Sequence, residues 1–142
     1  LAKKIIWVQA HKQPLDPSSD TLLLKKLLKE AGLEQSFEYA LNEAYFDPSV
    51  KFKGTKIAKL QLSKYSIRSL PDIIGSFTEL RELDLSRCNI EKLPDTIWNL
   101  TKLKVLNLPD NLLTELPESI SNLSSLKFLD LKKNKIEKKQ TL

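Results

Sequence analysis

The feature that most constrains this chain is a pattern of apolar residues that repeats every 23 positions. The segment "LRELDLSRCNIEKLPDTIWNLTK" begins at residue 80, "LKVLNLPDNLLTELPESISNLSS" begins at 103, and a shortened copy, "LKFLDLKKNKIEKK", begins at 126. A more divergent copy begins at Ile57. A unit this short cannot cover its own apolar face, so consecutive units are expected to stack into a solenoid with one continuous core.

The leucines within each unit predict a short strand. Apolar and polar residues alternate in Leu83-Asp84-Leu85, which places the leucines on one side of the chain. Since every unit repeats this alternation, we predict four parallel strands between residues 57 and 136. A Leu-Pro pair follows each of the first three strands, and proline there ends the regular hydrogen bonding and begins the return path on the outer side.

A polar column lies where the chain leaves each strand. Asn111 and Asn134 occupy it, and their side-chain amides are expected to bond neighbouring backbone groups that a buried bend would leave unpaired. Cys88 occupies the same column one unit earlier. No histidine or second cysteine is near it in sequence to activate the thiol, so we interpret Cys88 as a small buried substitute for asparagine.

These segments resemble the leucine-rich repeat family, whose core motif is L-x-x-L-x-L-x-x-N/C-x-L. "LRELDLSRCNI", "LKVLNLPDNLL" and "LKFLDLKKNKI" match the motif, and "IAKLQLSKYSI" departs from it at Tyr65. The trailing "LPDTIWNLTK" and "LPESISNLSS" resemble the 23-residue L-P-x-x-I-x-x-L class of bacterial and plant intracellular Ras-group proteins. The resemblance implies an α/β fold, a right-handed leucine-rich-repeat solenoid forming a short horseshoe, with a parallel β-sheet on its concave face.

The chain before the repeats is predicted to cap the first one. "SSDTLLLKKLLKEAG" and "EQSFEYALNEAYFDP" have leucine or aromatic residues at helical spacing, and residues 50–56 are a candidate extra strand. We therefore divide the chain into an N-terminal segment with two capping helices, 1–56, and a solenoid of three full repeats and a truncated fourth, 57–142. Attachment of the first helix to a membrane surface is the alternative, and capping is preferred because the repeat needs covering.

Catalytic motifs are missing from the sequence. His11 is the single histidine and lies in a proline-rich segment, the three glycines are isolated, and one cysteine cannot form an internal disulfide. The sequence therefore predicts a non-enzymatic protein without a metal site or cofactor.

The resemblance implies that the polar strand positions face outward on the concave side and bind a protein ligand. Val105 and Phe128 would lie side by side there, and an exposed aromatic flanked by polar groups is typical of an interface hot spot. The alternative is that Phe128 packs against a residue of the chain's end. The predicted protein-binding residues are Lys59, Gln61, Glu82, Asp84, Val105, Asn107, Phe128 and Asp130.

A net charge of +5 suggests a second function. Lysines are concentrated between Lys127 and Lys139, and such a run can bind a polyanion or an acidic membrane surface. We favour a solvated end whose lysines prevent edge-to-edge strand pairing, so nucleic acid and membrane are not the preferred partners. A monomer or a weak end-to-end dimer is expected. The bacterial class suggests a host-facing protein that is secreted or on the cell surface.

Overall fold

The computed structural model describes residues 20–33 and 50–137. Within these residues, one α-helix, α1, precedes five strands, and a 3₁₀-helix connects each pair of consecutive strands from the second strand onward. The elements in chain order are α1 (Asp20–Glu30), β1 (Val50–Lys53), β2 (Lys56–Gln61), η1 (Asp72–Ser76), β3 (Glu82–Asp84), η2 (Asp95–Asn99), β4 (Val105–Asn107), η3 (Glu118–Asn122) and β5 (Phe128–Asp130).

The strands form one sheet in the order β1-β2-β3-β4-β5. The pairs from β2 to β5 are parallel, and Leu60, Leu83, Leu106 and Leu129 lie opposite one another in register. The four predicted parallel strands are therefore confirmed. β1 is antiparallel to β2 and is joined to it by a tight turn in which Gly54 has a φ of +63°, a conformation that glycine adopts without steric cost.

The core lies between the sheet and the 3₁₀-helices. The leucine columns of the inner repeats are almost completely buried, as Leu83 and Leu106 show with exposures of 0%. Each 3₁₀-helix follows the proline of a Leu-Pro pair, whose extended conformation and missing N–H suit the start of a helical turn. Ile74 and Ile97 project from η1 and η2 into the same core.

Helix α1 covers the N-terminal end of the solenoid. Leu24, Leu27 and Leu28 are buried in the common core, so the leucine face of the helix packs on the first repeat as a cap requires. Gly32, with a φ of +74°, follows the helix in the left-handed conformation common after a helix C-terminus. The second predicted capping helix lies within residues 34–49, outside the described residues, and the proposed domain boundary at residue 56 stays a prediction.

A buried carboxylate joins α1 to the sheet. Asp20 is 0% exposed, and its side chain accepts hydrogen bonds from the Ile57 backbone N–H at 2.8 Å and from Lys56 Nζ at 3.3 Å. The Asp20 backbone N–H also donates to the Thr55 carbonyl at 2.9 Å. Asp20, the first residue of α1, therefore satisfies polar groups at the beginning of β2.

Replacing Asp20 with alanine should destabilise the protein, because the buried Ile57 N–H then has no acceptor. We expect the free energy of unfolding to fall by about 1–3 kcal/mol, measured by urea denaturation. Glu30→Ala is the control, since among the described residues Glu30 makes only an exposed helical ion pair with Lys26, and its loss should change stability by less than about 0.5 kcal/mol. Equal effects of the two substitutions would contradict a structural role for Asp20.

Candidate functional site

The outward side chains of β2 to β5 form the candidate binding surface, here called the concave face. The sheet register places the eight predicted residues in two rows that run across the strands. The first row is Lys59, Glu82, Val105 and Phe128, and the second row is Gln61, Asp84, Asn107 and Asp130. The structure thus brings all of these positions together, and their role in binding stays a prediction.

The first row has a charged half and an apolar half. Lys59 Nζ lies 3.1 Å from Glu82 Oε2, so these two charges are paired with each other. Val105 lies opposite Phe128, as predicted, and the Phe128 residue is 54% exposed. An exposed aromatic on a regular strand leaves apolar area that is available to a partner.

The second row is partly occupied by local hydrogen bonds. Asp84 Oδ1 accepts from the Ser86 N–H at 2.9 Å and from the Ser86 hydroxyl, and Asp130 Oδ1 accepts from the Lys132 N–H at 3.0 Å. These turns stabilise the bends that follow β3 and β5. The sequence analysis placed both carboxylates among the protein-binding residues and missed this use of one oxygen in each, although an Asp two positions before a bend is a detectable signal.

The bends also contain residues in the left-handed conformation, which the sequence did not reveal. Lys64, Arg87, Asp110 and Lys133 occupy equivalent positions and have φ values of 70°, 57°, 55° and 55°. Hydrogen bonds to the next repeat offset the steric cost of this conformation. The backbone N–H groups of Arg87 and Asp110 donate to carbonyls of the next repeat at 3.1 and 2.9 Å. Asp110 carboxylate oxygens also lie 3.7 Å from Arg87 Nε and 3.6 Å from Lys133 Nζ.

The asparagine column behaves as the sequence predicts. The buried Asn111 accepts from the N–H groups of Cys88 and Ile90 at 3.1 and 3.0 Å, and its amide donates to the carbonyls of Leu85 and Leu108 at 2.8 and 3.1 Å. One side chain therefore connects its own bend to the preceding repeat. Asn134 makes three of these four bonds one repeat later, accepting from the Leu113 N–H and donating to the carbonyls of Leu108 and Leu131.

Cys88 is a buried hydrogen-bond donor, as the sequence interpretation proposed. The residue is 0% exposed, and Sγ lies 2.9 Å from the Leu62 carbonyl oxygen and 3.4 Å from that of Ser86. Burial raises the pKa of the Cys88 thiol to about 11. The thiol therefore keeps its proton at neutral pH and is not an activated nucleophile.

The last repeat is only partly covered. Leu126, Leu129 and Leu131 are partly exposed, and Ile136 is 37% exposed, whereas the same columns of the preceding repeat are buried. Within the described segments, nothing packs on the far side of β5. The alternative contact between Phe128 and the end of the chain involves residues 138–142, which lie outside them.

The lysine-rich end is partly described. Lys127, Lys132, Lys133 and Lys135 are exposed around the last repeat, and Lys133 shares Asp110 with Arg87. Lys138 and Lys139 lie outside the described part of the chain, as does His11.

Two other kinds of site are absent from residues 20–33 and 50–137. No group of three or more histidine, cysteine or carboxylate side chains is arranged to hold a metal ion there. No helix in these segments has the length and apolar character needed to cross a membrane.

Removing the asparagine amide should have a large effect on stability. In Asn111→Ala the N–H groups of Cys88 and Ile90 lose their acceptor, so we expect a loss of about 2–5 kcal/mol in the free energy of unfolding. Urea denaturation measures the loss, and Asn99→Ala, at an exposed asparagine, should stay within about 0.5 kcal/mol of wild type. A small effect at Asn111 would mean that the column is not structural.

The thiol gives a pH-dependent prediction. The folded-state pKa of Cys88 is about 11, against an ordinary value of 9.0. The contribution of this thiol to the free energy of unfolding is therefore fully present below pH 9 and declines as the pH rises towards 11. Alkylation by iodoacetamide should be slow in the native protein at pH 8 and fast after denaturation. Rapid alkylation of the native protein at pH 8 would contradict the buried position.

Comparison with known proteins agrees with this architecture. The family model described as "Leucine-rich repeat region" matches residues 55–141, which is more than half of the chain. A comparison with curated proteins gives no significant match.

The solved structures with a similar fold include the following two. The leucine-rich repeat ectodomain of the receptor kinase SOBIR1 from Arabidopsis thaliana superposes with a TM-score of 0.60 at 28% identity, covering 82% of this chain and 67% of that one. A plant ice-binding protein gives a TM-score of 0.67 at 19% identity, covering 85% of this chain and 42% of that one.

Proposed function

Because the chain belongs to the leucine-rich repeat family, we propose that it is a non-enzymatic interaction module that binds a protein ligand on the concave face. The observation that carries this proposal is the apolar pair in the first row, in which Val105 is half-buried and Phe128 is exposed. Phe128 is 54% exposed beside Val105 on paired strands, where solvation alone favours polar side chains. Buried in a complex, such an aromatic is typical of a hot spot.

The rest of the concave face suggests how a ligand is oriented. Asp84 and Asp130 each use Oδ1 in a local turn, and Oδ2 has no described partner in either residue. These oxygens and the Asn107 amide offer a row of acceptors beside the apolar pair. A ligand that places an apolar side chain on Phe128 and hydrogen-bond donors over the second row would satisfy both rows.

The sheet holds this surface in place before a ligand arrives. Hydrogen bonds between consecutive strands and the buried leucines beneath them fix the separation of the rows. A rigid surface loses little conformational entropy on binding, which favours affinity. A secreted or cell-surface location and a bacterial, host-facing role remain predictions from the class resemblance.

Phe128→Ala should weaken binding of a protein ligand by about 1 kcal/mol or more, roughly fivefold, with the fold unchanged. The ligand is first identified by affinity capture, using the Phe128→Ala variant as the negative bait, and its dissociation constant is then measured by calorimetry. Leu22→Ala is the matched control, because Leu22 is 53% exposed on α1, away from the concave face. Equal losses for both variants would contradict the proposed site.

The second row needs a substitution that preserves the turn. Asp84→Lys removes the acceptor for the Ser86 N–H, whereas Asp84→Asn retains an acceptor oxygen and removes only the charge. We expect Asp84→Asn to weaken binding of the same ligand, while Asp95→Asn, an exposed change on η2, leaves it unaltered.

The electrostatic alternative predicts a different order of effects. If the lysine-rich end binds a polyanion or an acidic membrane surface, the double change Lys138→Gln and Lys139→Gln dominates and Phe128→Ala is silent. Binding of that kind also weakens steeply between low and physiological salt. Measuring the Phe128 variant and the double lysine variant at both salt concentrations decides between the two functions.

The partly exposed last repeat bears on the oligomeric state. In the described structure β5 has an open edge and leucines that are partly exposed, so we expect any pairing of two copies to join their β5 edges. The exposed lysines around that edge oppose such pairing. We therefore predict a monomer that forms at most a weak dimer, favoured by salt, which sedimentation equilibrium can measure.

A further inference from the structure

Two Asn-x-Ser/Thr sequences occupy the same place in consecutive repeats. They are Asn99-Leu100-Thr101 and Asn122-Leu123-Ser124, and no other asparagine of the chain is followed two positions later by serine or threonine. Such a sequence is the acceptor motif for N-linked oligosaccharide when it lies on an accessible surface. The structure tests that condition at both positions.

Both acceptor asparagines are accessible. Asn99 is the last residue of η2 and Asn122 the last of η3, and both are exposed, as are Thr101 and Ser124. In the described part of the chain, neither asparagine side-chain amide makes a hydrogen bond. The reactive nitrogen of each motif is therefore available.

The local backbone presents each motif outward. Leu100 and Leu123, the middle residues, are 1% and 5% exposed because they belong to a core column. Each motif itself forms a tight turn, in which the Thr101 N–H donates to the Asn99 carbonyl at 2.9 Å, with the same bond in the next repeat at 2.8 Å. The buried leucine anchors the segment, so the asparagine and the hydroxyl residue flank it at the surface.

We propose that Asn99 and Asn122 are acceptor sites for N-linked oligosaccharide. The donor class is a lipid-linked oligosaccharide, a sugar chain joined through a diphosphate to a polyisoprenol. In the transfer, a bond forms between Asn Nδ2 and C1 of the first sugar, and the bond between C1 and the diphosphate oxygen breaks. The amide loses one proton and the lipid diphosphate leaves, so no oxidant or reductant is needed.

The position of the sites is compatible with ligand binding. The 3₁₀-helices lie across the core from the strands, so a glycan at the end of η2 or η3 projects from the side opposite to the concave face. The inference does not rest on the proposed function. It requires only that the chain enter a compartment with an oligosaccharyltransferase, such as the secretory pathway of a eukaryotic cell.

The chain contains a matched control site. Ser76-Phe77-Thr78 occupies the same place one repeat earlier, and Ser76 is also the last residue of a 3₁₀-helix and exposed. It differs from the two acceptor motifs in having serine in place of asparagine. Ser76→Asn should therefore create a third site.

The experiment is secretion of the full chain from a eukaryotic host behind a signal peptide, followed by intact-mass measurement before and after peptide N-glycosidase treatment. We expect glycan mass at two sites in wild type, at one site in Asn99→Gln and in Asn122→Gln, and at three sites in Ser76→Asn. Thr101→Ala should remove the first glycan, and Thr101→Ser should retain it.

A wild-type chain secreted without glycan overturns the proposal, and modification of one asparagine alone overturns the assignment of the other. Thermal unfolding of the two glutamine variants shows whether the fold is retained, since both positions are exposed and make no described side-chain bond. Ligand binding by the same variants separates this inference from the proposed function: loss of the glycans should leave concave-face binding unchanged.

Discussion

The structure depends on backbone hydrogen bonds between consecutive repeats. Leu62, Leu85 and Leu108 each donate an N–H to a carbonyl one repeat further along, those of Asp84, Asn107 and Asp130, at 2.8, 2.8 and 2.9 Å. A single repeat cannot satisfy these groups, and its leucines are covered only when a neighbour is present. Each repeat is therefore stabilised by its neighbours. The first and last repeats lack a neighbour on one side, so their exposed leucines and backbone groups need another kind of cover.

The first repeat of the solenoid is covered, whereas the last repeat is partly exposed. At the first repeat, antiparallel β1 satisfies the edge of β2, and the buried Asp20 carboxylate satisfies the Ile57 N–H. At the last repeat, the leucine columns are partly exposed and β5 has an open edge in the described structure. Local opening is therefore expected to begin at β5, because fewer buried contacts and unpaired edge groups lower the local free energy of opening.

The sequence predicted most of the features that recur in every repeat, but it missed the left-handed bends and the contacts that occur once. The strands, the asparagine column and the burial of Cys88 follow from columns, in which each residue is compared with its equivalents. Asp20 resembles an ordinary helix-capping residue, and its contact with Ile57 spans 37 positions, which no local pattern reveals. The left-handed bends were also missed, because Lys64 and Arg87 are not residues that normally signal positive φ.

For the candidate site, the sequence predicted the rows but not their internal bonds. Alternation alone assigns Val105 and Phe128 to one surface, and the register confirms that they are neighbours. It could not show that Lys59 and Glu82 neutralise each other, or that Asp84 and Asp130 each commit an oxygen to a turn. Those bonds depend on side-chain conformation, which the repeat pattern does not determine. Because they occupy charged groups of the concave face, we expect a larger share of the binding energy to come from Val105 and Phe128.

The position of that apolar half couples binding to stability. Phe128 and Val105 lie on β5 and β4, at the end of the solenoid where the leucines are least covered. A ligand that binds this surface contacts the repeat that is expected to open first. Since a ligand that binds only the folded form stabilises it by mass action, its largest effect on local opening should appear in β5 and decline towards β2. Hydrogen exchange with and without ligand would show this gradient, and uniform protection across the sheet would mean that the repeats open as a single unit.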